Sequence, residues 1–107
     1  MPAAGARAVI RTDGTVWNAN DAFCKLVRLE EPALLQLGWR QLVHTADRRY
    51  VAAQLVELMA GSVNLREFDV RLTAPNGDEL PVQMRVELVR DGDGRHTWFL
   101  VEAWSTT

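Results

Sequence analysis

Asp13-Gly14-Thr15-Val16-Trp17-Asn18-Ala19-Asn20-Asp21-Ala22 is the stretch on which the fold turns. Asp-Gly between two β-prone segments is a strong hairpin signal, because the glycine accepts the positive φ that a tight turn demands. Thr15 to Asn18 then reads as a strand. Asn20 or Asp21 follows with a side-chain oxygen placed to cap a helix. Inside that helix Phe23, Leu26 and Val27 fall at i, i+3 and i+4, one apolar face. Upstream, Arg7 to Thr12 is short and β-prone. The chain therefore opens with a hairpin that passes directly into a helix.

Working outward, Pro32 suits the first turn of a second helix, and Glu30 and Glu31 ahead of it favour the positive end of its dipole. Leu34, Leu35 and Leu37 are expected to form its buried side, with Gly38 ending it. Trp39 to Val43 reads as another short turn of helix. Thr45 or Asp47 opens the longest helix, which runs to about Ala60, stops at Gly61 and carries the stripe Val51, Leu55, Leu58 and Met59. From Leu65 the period changes to two. Phe68, Val70 and Leu72 alternate with Glu67, Asp69, Arg71 and Thr73. Pro75-Asn76-Gly77-Asp78 is a hairpin loop. Leu80, Val82, Met84, Val86 and Leu88 share one face of the next strand. Asp91 to Gly94 turns the chain again, and Thr97 to Trp104 is the last strand. Two strands, a run of short helices, one long helix and three strands make an α+β domain.

Composition bounds the function. A chain of 107 residues is one domain, and 48% hydrophobic with 24% charged residues is ordinary globular composition. A net charge of -2 with Arg48-Arg49 as the longest basic run leaves no basic face for nucleic acid. No apolar run approaches the roughly 18 to 20 residues that span a bilayer. Residues 1–6 are small and expected to be a flexible segment, without the features of a signal peptide. Residues 7–104 form the domain and 105–107 a short tail. The lone cysteine, Cys24, excludes an internal disulfide and fits a reducing, cytoplasmic setting. The short length suggests a module cut from a larger protein.

That order of elements, at this length, resembles the PAS domain. Asp13 to Ala22 looks like the family's run of turn glycine, strand, Asn and helix-opening Ala. His44-Thr45-Ala46-Asp47-Arg48 is similar to its His-Pro-x-Asp segment before the long helix, with Thr45 in place of the proline. Gly61, Glu67 and Asn76-Gly77 also sit where the family has a helix end, an acidic strand residue and a turn. The resemblance covers about Arg7 to Trp104. It implies a five-stranded antiparallel sheet, ordered second-first-fifth-fourth-third, with the helices packed on one face. It implies a sensory module of signal transduction, of the kind found in two-component signalling. Many members end in Asp-Ile-Thr, whereas Trp104-Ser105-Thr106 stands here, a departure at the junction that usually leads to the signalling helix.

Catalytic and cofactor chemistry find little purchase. Glu30-Glu31, Asp78-Glu79 and Asp91/Asp93 lie in turns or helix starts, whereas general acid work needs a carboxyl in an apolar cleft. His44 and His96 are far apart, with no ligand spacing for a metal. The haem-binding relatives use a histidine on the long helix, and Ala46 to Ala60 has none. Flavin-binding relatives carry a reactive Cys in an Asn-Cys-Arg-Phe-Leu-Gln-type segment, where this chain has Gly38-Trp39-Arg40-Gln41-Leu42-Val43. Cys24 reads as a small buried hydrophobe. No phosphate-binding glycine pattern or nucleophile pair appears. The chain is read as no enzyme and as having no cofactor or metal.

The tryptophans say more. The last strand is apolar on both faces: Trp98, Leu100 and Trp104 on one, Phe99, Val101 and Ala103 on the other. Helices cover only one face of such a sheet, so the second needs a cover. Placing Arg7 and Arg11 outward sends Ile10 and Val16 in and Trp17 out. The outer set is then Val9, Trp17, Trp98, Leu100 and Trp104. A tryptophan buries about 150 to 250 Å², so two such faces together pass the roughly 1,000 Å² of a genuine interface. Dimerisation or docking of another signalling domain on this face is the first expectation. The second is a small-molecule sensor whose ligand lies between sheet and helices, walled by Phe23, Trp39, Leu55, Met59, Phe68, Met84 and Phe99.

Overall fold

The first hairpin closes as its turn chemistry requires. Strand β1 (Ala6–Arg11) meets β2 (Val16–Ala19) through a turn in which Gly14 takes φ 99°. The Asp13 carboxylate accepts from the Thr15 N–H at 2.9 Å and from its hydroxyl at 2.7 Å. Those bonds, the backbone one foremost, hold the Asp13 carboxyl below the usual carboxylate range. Helix α1 (Asp21–Val27) is capped by Asn20, whose Oδ1 accepts from Phe23 N–H at 2.9 Å and from Arg7 N–H at 3.0 Å. One side-chain oxygen thus ties the first strand to the first helix.

The computed structural model describes residues 5–94 and 97–106. Most of the expected N-terminal segment (residues 1–4), His96 and Thr107 of the tail lie outside the described residues. Ala6 and Ser105, placed outside the domain by the sequence reading, belong to its first and last strands.

Helix α2 (Glu31–Leu34) is shorter than the leucine run suggested. Leu34 is fully buried, but Leu35 is exposed and Leu37 half-buried, because one helical turn can point only one of three such neighbours inward. Gly38 does not end that helix; it starts α3 (Trp39–Leu42), its N–H donating to the Gln41 side chain at 2.7 Å. A 3-10 turn at Thr45–Asp47, capped by His44 Nδ1 accepting from Ala46 N–H at 3.1 Å, precedes α4 (Arg48–Ala60). Gly61 closes α4 in the left-handed conformation, φ 85°. Val51 and Leu58 of α4 are buried and Leu55 half-buried, but Met59 faces solvent. It follows Leu58 by one residue, a rotation of about 100°, and falls off the buried face.

Strands β3 (Leu65–Thr73), β4 (Glu79–Arg90) and β5 (Thr97–Ser105) complete one sheet in the order β2-β1-β5-β4-β3, every pair antiparallel. The inner face of the sheet (Ile10, Val16, Phe68, Leu72, Val82, Val86, Phe99, Val101) packs against Phe23, Val27, Leu34, Leu42, Val51 and Leu58. Among the described residues no polar or charged one is buried. Polar ties instead bind the rim. Asp47 accepts from Arg71 at its backbone N–H (2.9 Å), Nε (3.1 Å) and Nη2 (2.8 Å), locking the start of α4 to β3. Arg71 holds the Asp47 carboxyl below its ordinary range.

Candidate functional site

Strand β5 runs between β1 and β4, and its register decides what gathers on the outer face. Trp98 lies between Arg11 and Val89, Leu100 between Val9 and Glu87, and Glu102 between Arg7 and Arg85. A bulge in β2 opposite Val9 and Ile10 keeps Val16 inward and turns both Trp17 and Asn18 outward. Trp17 meets Trp98 edge to face, centroids 6.0 Å apart at 76°, and the Arg11 guanidinium stands 5.8 Å from the Trp17 ring centroid. Trp17 is 49% exposed, while Val9, Trp98 and Leu100 are half-buried. Beside the indoles opens a notch of about 630 Å³ bordered by Arg11, Asp13, Trp17, Asp91 and Trp98.

The structure brings four of the five expected outer residues together. Trp104 stands apart. Glu102 lies between it and Leu100 on the same face, paired with Arg7 at 3.4 Å. The Trp104 indole N–H donates to Gln83 Oε1 at 3.1 Å, a polar contact rather than part of an apolar patch. Val89, passed over in the sequence, takes its place beside Trp98. Only the β4–β5 register places it there, and no local signal in Leu88-Val89-Arg90 gives that register.

The inner space is small. Between sheet and helices lies a volume of about 40 Å³. Phe23, Trp39, Leu55, Met84 and Phe99 line it as expected walls, joined by Ile10 and six further aliphatic side chains. Met59 and Phe68 do not. Met59 is exposed, and Phe68, though buried, packs edge to face on Tyr50 at 5.7 Å, away from the space. The sequence reading favoured the largest side chains; most of the lining is aliphatic and only packing reveals it.

Chemistry elsewhere is sparse. The Cys24 thiol is pushed up by burial, with Glu31, Asp21 and Glu30 adding to it. No group of three or more His, Cys, Asp or Glu among the described residues could hold a metal ion. No helix among them is long and apolar enough to cross a membrane.

Comparison with known proteins agrees with this architecture. A family model described as the PAS fold matches residues 3–103. Among solved structures, the chain is similar to a PAS domain from a two-component sensor histidine kinase: 17% identity, 97% of this chain and 86% of that one covered, TM-score 0.80. A PAS domain of a protein from Colwellia psychrerythraea gives TM-score 0.86 at 11% identity, covering 96% and 86% of the two chains. A domain of a sensory box sensor histidine kinase/response regulator from Geobacter sulfurreducens is 22% identical, with 92% and 81% covered and TM-score 0.75. No curated protein matches the sequence.

Proposed function

The chain belongs to the PAS family, and from that premise we propose that it is a sensory and interaction module of a signalling protein, acting by dimerisation or partner docking on the outer sheet face. One observation carries the reading. Trp17, Trp98, Leu100 and Val9 form a contiguous apolar patch on the face the helices leave bare. Apolar surface gains roughly 25 cal/mol per Å² when it leaves water, so a self-complementary or apolar partner surface is favoured there. A second copy of the chain is the partner we favour, with another signalling domain as the alternative. The module has no catalytic role in this reading; the lack of any buried charged residue among those described supports that. Likeness to domains of sensor histidine kinases supports a place in two-component signalling, and the lone cysteine supports a cytoplasmic setting.

Sedimentation of the purified chain at micromolar concentration tests this. A dimer that Trp98→Arg converts to monomer is the expected result. A strict monomer, unchanged by that substitution and binding no other signalling domain, would remove the docking role.

A second reading has its own observation: the wholly apolar space walled by Phe23, Trp39, Leu55, Met84 and Phe99. It supports small-molecule sensing, and a bound metabolite in native mass spectrometry is its direct test.

A further inference from the structure

We propose that the solvent side of α4 is a docking surface for a single amphipathic helix of another protein, apolar along one face and acidic at the end that meets Arg49. This surface lies on the side of the molecule away from the outer sheet face, and neither depends on the other.

The patterning of α4 departs from that of an ordinary surface helix. At 100° per residue, Val51, Leu55 and Leu58 fall together on the side packed into the core. The opposite arc of such a helix is ordinarily polar. Here it holds Ala52, Ala53, Val56, Met59 and Ala60, with Arg49 as its one charged residue. Ala52 is half-buried and the other four apolar residues are exposed, Val56 at 66% and Met59 at 48%. Of the five large hydrophobic residues exposed among those described, Tyr50, Val56 and Met59 all belong to this helix. A helix apolar all round is one built to be enclosed, yet α4 is enclosed on one side only.

Charge selects the occupant. The first turn of α4 holds Arg48 and Arg49 and no acidic residue, which sets cations at the positive end of the helix dipole. Asp47, just ahead, is engaged by Arg71. Arg48 uses its Nε on the Val43 carbonyl at 3.1 Å. Arg49 is exposed and has no hydrogen-bond or ion-pair partner among the described residues, unlike Arg7, Arg28, Arg66 and Arg71. An arriving carboxylate gains both a guanidinium and the helix end. A second copy of α4 offers none, because Glu57, the one acidic residue of the helix, lies outside the arc and is held by Arg66.

Shape selects a helix. From Ala52 to Ala60 the strip is about 12 Å long and one helix wide. Its alanines let a second helix axis approach to roughly 8 to 10 Å, ridge into groove. A broad globular face would touch only the crest.

The probe is a synthetic peptide of about 16 residues with leucine and alanine at helical spacing and glutamates in its last turn, so that antiparallel packing brings the acids to Arg49. Amide NMR of the whole chain should show saturable shifts from Ala52 to Ala60. Val56→Gln combined with Met59→Gln should weaken binding at least about tenfold with the denaturation midpoint unchanged, both positions being exposed. Arg49→Glu should weaken it about fivefold or more, and a peptide with lysines in place of the glutamates should recover that loss. Trp98→Arg should remove self-association and leave peptide binding intact, which keeps a failure of the sheet-face reading distinct from a failure here. Shifts confined to the outer sheet face, or binding indifferent to the α4 substitutions, would overturn the proposal. So would the absence of a saturable shift in α4 with either peptide. Loss of self-association in the Val56, Met59 double variant would also overturn it, by assigning α4 to a second copy of the chain.

Discussion

The two faces of β5 are made of similar residues and do opposite things. Inward, Phe99, Val101 and Ala103 are buried against the helices. Outward, Trp98, Leu100 and Trp104 remain half in water, though they are as apolar. The difference is set by what lies opposite: four helices on one side, none of the described chain on the other. Hydrophobicity alone does not bury a residue. Connectivity decides which face receives a cover, and the face left over is where a partner gains most.

Substitutions on the two faces should therefore separate stability from association. The largest effect is expected at Phe99→Ala, which empties core volume and should cost about 3 to 5 kcal/mol in urea denaturation. A loss under about 1 kcal/mol would mean that the inner face is not the core, since surface changes cost that little.

Next comes the rim. Asp47→Ala removes the acceptor of three Arg71 bonds, one of them from the backbone, and should cost on the order of 1 to 3 kcal/mol. Acid should mimic it. Asp47, Asp13 and Asp78 all have carboxyls lowered in the fold, so the unfolded chain takes up protons first. Their stabilisation is fully present above the ordinary carboxylate value near pH 4 and is lost as pH falls through the lower folded values. Denaturation midpoints should drop on acidification below about pH 4, with a shallower slope in Asp47→Ala. A slope identical in the two proteins would show that the Arg71 tie contributes nothing to it.

Leu100→Lys, on the uncovered face opposite Glu87, should change stability by no more than about 1 kcal/mol while weakening self-association at least about tenfold in sedimentation. Equal loss of folding and assembly would erase the contrast between faces. The smallest effect is expected at Val56→Glu, on the exposed side of α4 at 66% exposure, within about 0.5 kcal/mol and with assembly intact. Assembly broken there, and not at Leu100, would move the interface from sheet to helix.

Much of this was legible in the chain, for local reasons. The Asp13-Gly14 turn, the Asn20 cap, the Gly61 stop and the period change at Leu65 each satisfy a requirement that a few neighbouring residues impose. The inner and outer parity of β5 follows from alternation alone. Where local chemistry was silent, the reading went astray. Leu35 and Met59 are apolar and exposed, Leu35 because a single helical turn has few inward positions and Met59 because it lies about 100° round its helix from Leu58. Gly38 looked like a stop and proved a start, since its partner is the Gln41 side chain ahead of it.

The sequence by itself determined the element order, the turns and the alternation of each strand, because these depend on backbone sterics and neighbours a few residues away. Only the tertiary structure decided that Val89 joins Trp98, that Glu102 cuts Trp104 off from the patch, and that Val56 and Met59 of α4 are left uncovered. Those facts come from strand register and helix packing, which join residues tens of positions apart through many weak contacts that no short stretch encodes.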